Sequence, residues 1–455
     1  MQALRAPLVF LIMAGMLAFV GVYQSWSVAL SILGMCLISA IMSLGVNIQW
    51  GYAGLFNAGV MGFTAIGGVA AVLVSYPPVK EAWSAGGSGI GLSLLMMLAM
   101  SGVVYLLHRA MPKGKLRALL ISIVVLLGLY LTRQVFYPAV DSIEGVNPST
   151  AGFLGGLGLP IVFSWVIGGV LAAGVAWMIG KVALGLRSDY LAIATLGISE
   201  IVIAMIKNED WLTRGVKNVT GLERPVPLEA DLQQQEWFIA LVTRFNETKL
   251  AAVSDADAKA ELLRSLVIEG SSIFVKLCYV GLFSVVLLII LALSIRALNS
   301  PWGRMMRAIR DNDEAASAMG KDIKRRHLQV FILGSAVIGI AGAMLTTLDG
   351  QLTPTSYQPL RFTFLVWVMV IVGGSGNNLG AVFGGFLIWF MWIEAEPIAV
   401  VLMDMVTSGM DVTSPLRAHL LESAPHLRLF LMGLLLLLVL RFSPRGILPE
   451  KVRHS

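Results

Sequence analysis

The feature that most constrains this 455-residue chain is a series of unbroken apolar runs, each about as long as a bilayer is thick. A backbone in hydrocarbon has no water to bond to, so only helices and closed barrels can cross. The runs are too long and continuous for the apolar–polar alternation of barrel strands. The expected fold is an all-α polytopic membrane protein with about 10–12 transmembrane helices, some short or broken. Composition agrees, being 57% hydrophobic and only 13% charged, where a soluble domain carries about 25% charge. A soluble enzyme, a disordered chain and a coiled coil are thereby excluded. The 47 glycines suit helices that approach closely in lipid. A net charge of +6 fits basic loops on one membrane face, and no nucleic-acid partner is expected. Cys36 and Cys278 both lie in apolar runs, which leaves neither a disulfide framework nor a metal site, and no cofactor is expected.

Spans are assigned at residues 7–22, 28–47, 58–75, 90–107, 119–131, 156–180, 190–206, 273–293, 328–347, 362–372, 381–395 and 427–440. The run at 8–22 follows a single Arg5 and leads straight into the next, so it reads as a first span and not a cleaved signal peptide. The tenth and eleventh spans are short, and the stretch 44–68 is interrupted by Gly51, Gly54 and Gly59, so half-helices or re-entrant segments are expected there. An even count puts both termini on one side. Basic residues mark that side: Arg109, Lys113, Lys115 and Arg117; Lys181 and Arg187; Arg296, Arg304, Arg307, Arg310, Lys321, Lys324, Arg325 and Arg326; and the C-terminal tail. By the positive-inside rule both termini are cytoplasmic. The chain then divides into N-terminal helices (1–206), an extracytoplasmic loop (207–272) and C-terminal helices (273–455) with a cytoplasmic loop at 296–327. Within 207–272, Phe238, Leu241, Val242 and Phe245, and more loosely Leu262, Leu263, Leu266 and Val267, follow helical spacing, which predicts two amphipathic helices. This cap is either a folded loop packed on its own spans or a docking surface for a soluble partner.

The most informative stretch is SPWGRMMRAIRDNDEAASAMGKDIKRRHLQ, residues 300–329. Asp311 can cap a short helix at 314–319, with Glu314 as its capping-box partner and Gly320 ending it. The helix would expose small Ala315, Ala316 and Ala318 between basic flanks, suited to a groove on another protein; the plainer reading is an ordinary basic loop. In the broken segment, Asn47, Gln49, Tyr52 and Asn57 place hydrogen-bonding groups at membrane depth beside backbone freed by Gly51 and Gly54. Broken helices of this kind recur at substrate pathways, while close helix packing with polar contacts would explain the same residues. Glu200 lies inside an apolar run that begins after Asp189, and an intramembrane acid is costly enough to suggest either function or a structural pairing. The glycines of GGSGNN (Gly373, Gly374, Gly376) read as a tight turn with close packing between two short spans and, with Asn47, Gly51, Tyr52, Gly54, Asn57 and Glu200, are the candidate pathway residues. The same string resembles the nucleophile motif of rhomboid proteases, but all five histidines lie at span ends, in loops or in the tail, and a serine nucleophile would have no base at membrane depth. No G-x-x-x-x-G-K-S/T phosphate loop is present, so the chain is not expected to hydrolyse ATP itself.

The string EAASAMG resembles the E-A-A-x-x-x-G coupling loop of bacterial ABC importer permeases. With LGVNIQWGYAGLFNAGVMGFTAIGG, LRSDYLAIATLGISEI, VIVGGSGNNLGAVFGG and RFSPRGILP, in that order, the chain is similar to the LivM-like permease subunits of branched-chain amino acid ABC importers. That family also carries an acid at the place of Glu200. The likeness covers roughly 28–75 and 156–449; the hydrophobic pair at 90–131 and the insertion after Pro225 depart from it. The resemblance implies a subunit in the bacterial inner membrane, importing branched-chain or related amino acids. It implies four kinds of partner: a second homologous permease, two ABC ATPases pressing on the loop around Asp311, Glu314, Ala315, Ala316 and Gly320, a periplasmic solute-binding protein, and membrane lipid. Sister permeases for urea or short-chain amides are the nearest alternative. An ion-coupled secondary transporter leaning on Glu200 is a more distant one.

Overall fold

The structure, a computed structural model, describes residues 2–147, 152–411 and 414–450. The protein is an all-α polytopic membrane protein. Among the described residues, ten helices are long and apolar enough to cross a membrane, and two shorter apolar helices accompany them. In chain order the first seven are α1 (Gln2–Tyr23), α2 (Trp26–Ala53), α3 (Val60–Ser75), α4 (Lys80–Ala110), α5 (Lys115–Glu144), α6 (Val162–Ala183) and α7 (Ser188–Asn208). A cap follows, in which α8 (Glu236–Phe245) is the longest separate helix, and then α9 (Ala256–Asn299), which re-enters the bundle. Two short polar helices, α10 (Pro301–Asp311) and α11 (Asp313–Ala318), lead to α12 (Ile323–Asp349), α13 (Pro359–Gly373), α14 (Asn378–Thr407) and α15 (Leu427–Phe442).

Three expectations need correction. The eleventh span is not short. The Glu394, Glu396 and Pro397 cluster lowers its hydropathy without ending α14, because Gln24 donates to Glu394 and Arg428 to Glu396, so neither charge has to leave the helix for water. Nor is Gly51 a break: α2 continues through it to Ala53, and the interruption is confined to 54–59. Of the two expected cap helices, the one at Phe238 to Phe245 is α8, with Phe238 and Val242 buried. Leu262 to Val267 instead belong to α9, whose 44 residues span about 66 Å at 1.5 Å per residue, twice a bilayer core of about 30 Å. With no proline after 256 to stop it, extending one helix costs less than nucleating two.

The core forms where small residues let backbones meet. α12 is the central helix, packed on α2, α3 and α6, while α14 packs on α2 and α13. Gly67 of α3 faces the Gly339 carbonyl of α12, Gly342 faces Thr64, and Gly45 faces Gly334, with no room for a side chain at any of them. Outside this core, α1 rests mainly on α2 and α14. The α4–α5 hairpin is attached at one end, where Phe136 meets Trp211 edge-on at 5.6 Å and the Trp211 N–H donates to Glu144 at 3.2 Å. Its other residues are almost all exposed, a surface for lipid.

The bundle has two chemically distinct ends. At the basic end, α10, α11, the end of α2, the turn at 374–377 and the segment 443–450 come together. At the cap end, β1 (Val219–Thr220) pairs antiparallel with β2 (Gln351–Leu352), tying the cap to the end of α12. There too Lys276 of α9 donates to the Ser27 carbonyl at 3.1 Å, fixing α9 to the start of α2.

Because Gly67 abuts a main-chain carbonyl and not a flexible side chain, Gly67→Leu is expected to force α3 from α12 at a cost of about 1–3 kcal/mol or more. Gly174→Leu, where a Cβ meets nothing within 4 Å, is the control. The check is monodispersity and thermal midpoint in detergent; equal loss in both variants would contradict this packing.

Candidate functional site

The broken segment owes its shape to a glycine. Gly54 adopts a left-handed φ of 68° at the end of α2, a conformation that costs residues with a Cβ. The next amide, Leu55 N–H, reaches back to the Gln49 carbonyl at 3.0 Å, the usual closure of a helix ending this way. Between α2 and α3 the backbone has lost its helical partners, and each substitute is specific. Thr195 Oγ1 accepts from Ala58 N–H at 3.0 Å, Asn57 Oδ1 accepts from Gly59 N–H at 2.8 Å, and Trp367 Nε1 donates to the Asn57 carbonyl at 3.0 Å. Phe56 stacks on Trp367 with centroids 4.2 Å apart, and Trp50 meets both rings edge-on.

The polar side chains here are all buried and all engaged. Asn47 accepts from Gly376 N–H at 2.9 Å and donates to Asn378 Oδ1 at 3.2 Å, and the Tyr52 hydroxyl donates to the same Asn378 oxygen at 3.0 Å. Asn57 donates to Gln49 Oε1 at 2.9 Å, while Gln49 Nε2 donates to the Phe331 carbonyl and to Ser335, each at 3.0 Å. Asn47, Tyr52 and Asn378 thus bolt α2 to the turn between α13 and α14, and Gln49 bolts it to α12. These bonds hold three elements together; the cluster is a lock.

Arg310 joins this lock to the basic end. Its guanidinium donates to the Gly51 carbonyl of α2 and to Glu450 at 2.9 Å, and lies 3.1 Å from Asp311. Burial works against its charge, but the bonds and charges of Glu450 and Asp311 outweigh that and raise its pKa above the usual guanidinium value. The 374–377 turn is strapped by the C-terminal segment: Ile447 and Leu448 N–H donate to the Val372 and Gly373 carbonyls at 2.9 Å each, and Asn377 donates to the Leu448 carbonyl at 3.1 Å. Gly374, at φ 119°, sits where a Cβ would strike the Leu448 carbonyl, so this crossing takes only glycine. Gly376, also at positive φ, presents its N–H to Asn47.

The short helix is present, one residue earlier than expected and with a different cap. Asp311 ends α10 and its carboxylate turns to Arg310, so Asn312 caps α11 instead, accepting from Ala315 N–H at 2.9 Å. Glu314 is therefore an exposed first-turn residue and not a capping-box partner. Gly320, at φ 75°, closes the helix. No residue of α11 is buried, and Ala315 stands exposed with Ala316 half-buried beside it.

Glu200 takes no part in the lock. It lies on the exposed face of α7, and none of the described residues bonds to it. The buried intramembrane acid is Glu394, 5% exposed on α14 near the cap end, with Gln24 donating to it at 2.8 Å. The rule that singled out Glu200 applies equally to Glu394, which lies within an assigned span. Arg310 and Asn378 gave no such signal, because their partners lie far away in sequence.

The family described as the permease component of branched-chain amino acid transport systems matches residues 82–440. That range begins after the broken segment, so the likeness drawn from residues 28–75 lies outside it. The chain is 30% identical over 156 residues to the probable branched-chain amino acid transport permease protein LivM of Methanocaldococcus jannaschii, covering 34% of this chain and 42% of that one. It is 26% identical over 224 residues to the high-affinity permease protein LivM of Escherichia coli, covering 49% and 48%. To the LivH permease protein of Salmonella typhimurium it is 25% identical over 280 residues, covering 57% and 86%. The chain spans about half the length of the LivM relatives it matches. No solved structure matches.

The geometry ranks two substitutions in the lock. Asn47→Ala strands the Gly376 N–H and is expected to cost about 1–3 kcal/mol. Tyr52→Phe leaves Asn378 with its Asn47 bond and should cost about 1 kcal/mol or less. Thermal midpoints in one detergent check the order, and a Tyr52→Phe variant as damaged as Asn47→Ala would contradict it.

Proposed function

The chain belongs to the family of permease components of branched-chain amino acid transport systems, and from that premise we propose that it is the transmembrane subunit of an ABC importer for branched-chain or related amino acids. In this reading it forms a pore with a second homologous permease in the bacterial inner membrane. Two ABC ATPases engage the basic end, and a periplasmic solute-binding protein delivers substrate at the cap end. Both termini are then cytoplasmic, in keeping with the basic residues gathered at that end. The cap around α8 is the surface for the binding protein.

The observation that carries the proposal is the route from α11 to the broken helix. α11 projects with no buried residue, a small-sided helix free to enter a groove on an ATPase through Ala315 and Ala316, with Asp311, Glu314 and Gly320 shaping its ends. Arg310, three residues before it, holds the Gly51 carbonyl and Glu450. A push on α11 therefore acts on the end of α2 and, through the C-terminal strap, on the turn carrying Gly373, Gly374 and Gly376. Two arrangements of this joint, each favoured by a different nucleotide state, would give alternating access. Opening the pathway would loosen the Asn47, Tyr52 and Asn57 bonds beside Gly51 and Gly54. Glu200, on the outer face of α7, is placed for contact with the second permease.

Reconstitution with the companion permease, the ATPases and the binding protein tests this. Ala315 is exposed in the chain itself, so Ala315→Glu should leave folding intact while burying an unpaired charge in the ATPase groove, at a cost of several kcal/mol. Substrate-stimulated ATP hydrolysis and uptake should both be lost; wild-type coupling would refute the assignment. In the same proteoliposomes, leucine uptake should proceed with ATP and no ion gradient, and stay gradient-independent in Glu200→Gln. Accumulation driven by a gradient alone and abolished by that substitution would place the protein in another transporter class.

A further inference from the structure

An apolar groove of about 680 Å³ runs between α1 and α14, with Met16, Phe19, Phe390 and Val401 among its walls and Gln24 and Glu394 at its polar point. On α1 it extends from Ile12 to Gln24, about 18 Å at 1.5 Å per residue, close to one leaflet of a core about 30 Å thick. The groove is apolar along about the length of an acyl chain.

Its polar point is incomplete. Glu394 is 95% buried by its 5% exposure, and its Oε2 accepts from Gln24 at 2.8 Å, but its buried Oε1 has no hydrogen-bond partner. The nearby cations are engaged elsewhere: Arg361 and Arg428 both lie over the Trp392 ring, and Arg428 pairs with Glu396. No Lys or Arg lines the groove. A buried carboxylate oxygen without a donor is costly, and a ligand that brings an N–H group to it recovers that cost. The occupant must combine a hydrogen-bonding cation with an apolar tail about a leaflet long. A free amino acid has the first and lacks the second.

We propose that the α1–α14 groove binds a membrane phospholipid with a primary ammonium headgroup, which donates N–H to the Glu394 carboxylate as that side chain turns its unpartnered oxygen to the groove, while an acyl chain lies between the helices. The proposal requires only that the chain resides in a bilayer; it does not depend on the import reading, and its test involves no transport measurement. The full chain, purified from nanodiscs containing equal amounts of phosphatidylethanolamine and phosphatidylcholine, is examined by native mass spectrometry for retained lipid. Phosphatidylcholine is the matched control, since its quaternary ammonium has no N–H. Retention should favour phosphatidylethanolamine by about tenfold, the value of one charge-assisted hydrogen bond. Glu394→Gln, which keeps the side chain's shape, should bring the ratio close to one. Gly15 lines the groove and a Cβ there meets nothing within 4 Å, so Gly15→Leu should fill the groove and expel both lipids from a folded chain. Equal retention of the two lipids by the unaltered chain, or an unchanged preference in Glu394→Gln, would overturn the proposal. So would a Gly15→Leu chain that keeps its lipid but loses a companion permease, which would make the groove a seat for a helix.

Discussion

The structure depends on one constraint: backbone N–H and C=O groups inside a bilayer must find partners within the protein. Helices meet it locally, which is why nearly the whole chain is helical. The informative place is where α2 stops, at the basic end of the bundle. Around the break the backbone takes partners from remote parts of the chain, Thr195 from α7 and Trp367 from α13, with Arg310 of α10 on the Gly51 carbonyl just before it, beside the local bond from Gly59 N–H to Asn57. The break is stable only because the tertiary fold delivers those groups, so it also records which elements must stay together when it moves.

The same economy explains the packing. Lipid tails are as apolar as Leu, so apolar area alone does not hold helices together in a membrane. Close approach does, and α12 achieves it against α2, α3 and α6 through Gly339, Gly342 and Gly334. α1, α4, α5 and α15 are peripheral and carry many large exposed apolar residues, a surface for lipid or other subunits.

At the basic end, polar contacts replace close packing. Arg310 bonds the end of α2, the C-terminal segment and Asp311 at the end of α10. A guanidinium suits this place because its planar fork can serve several acceptors at once and keeps its charge when half-buried. The strap at 446–449 and the glycine turn beneath it form one unit, since Gly374 fits under Leu448 only without a side chain. A rigid joint of this kind moves as a block.

How much could be read in advance follows from how local each signal is. The span count, the helical class, the cap helix at Phe238, the short helix before Gly320 and the glycine turn each rest on residues within a few positions of one another. Periodicity, composition and the left-handed preference of glycine fixed them. The details that differ depend on partners remote in sequence. Asn312 caps α11 because Asp311 is drawn to Arg310, and α14 continues past Glu394 because Gln24, 370 positions away, donates a hydrogen bond to its carboxylate. Glu200 and Glu394 look alike in the sequence, each an acid in an apolar run. One faces outward and the other is buried, and that choice belongs to helix rotation. The sequence by itself determined which segments lie in the membrane, because that depends on the chain's own apolarity. Which polar residues became a lock and which carboxylate stayed buried was decided only when the helices packed, because a hydrogen bond needs its partner in place.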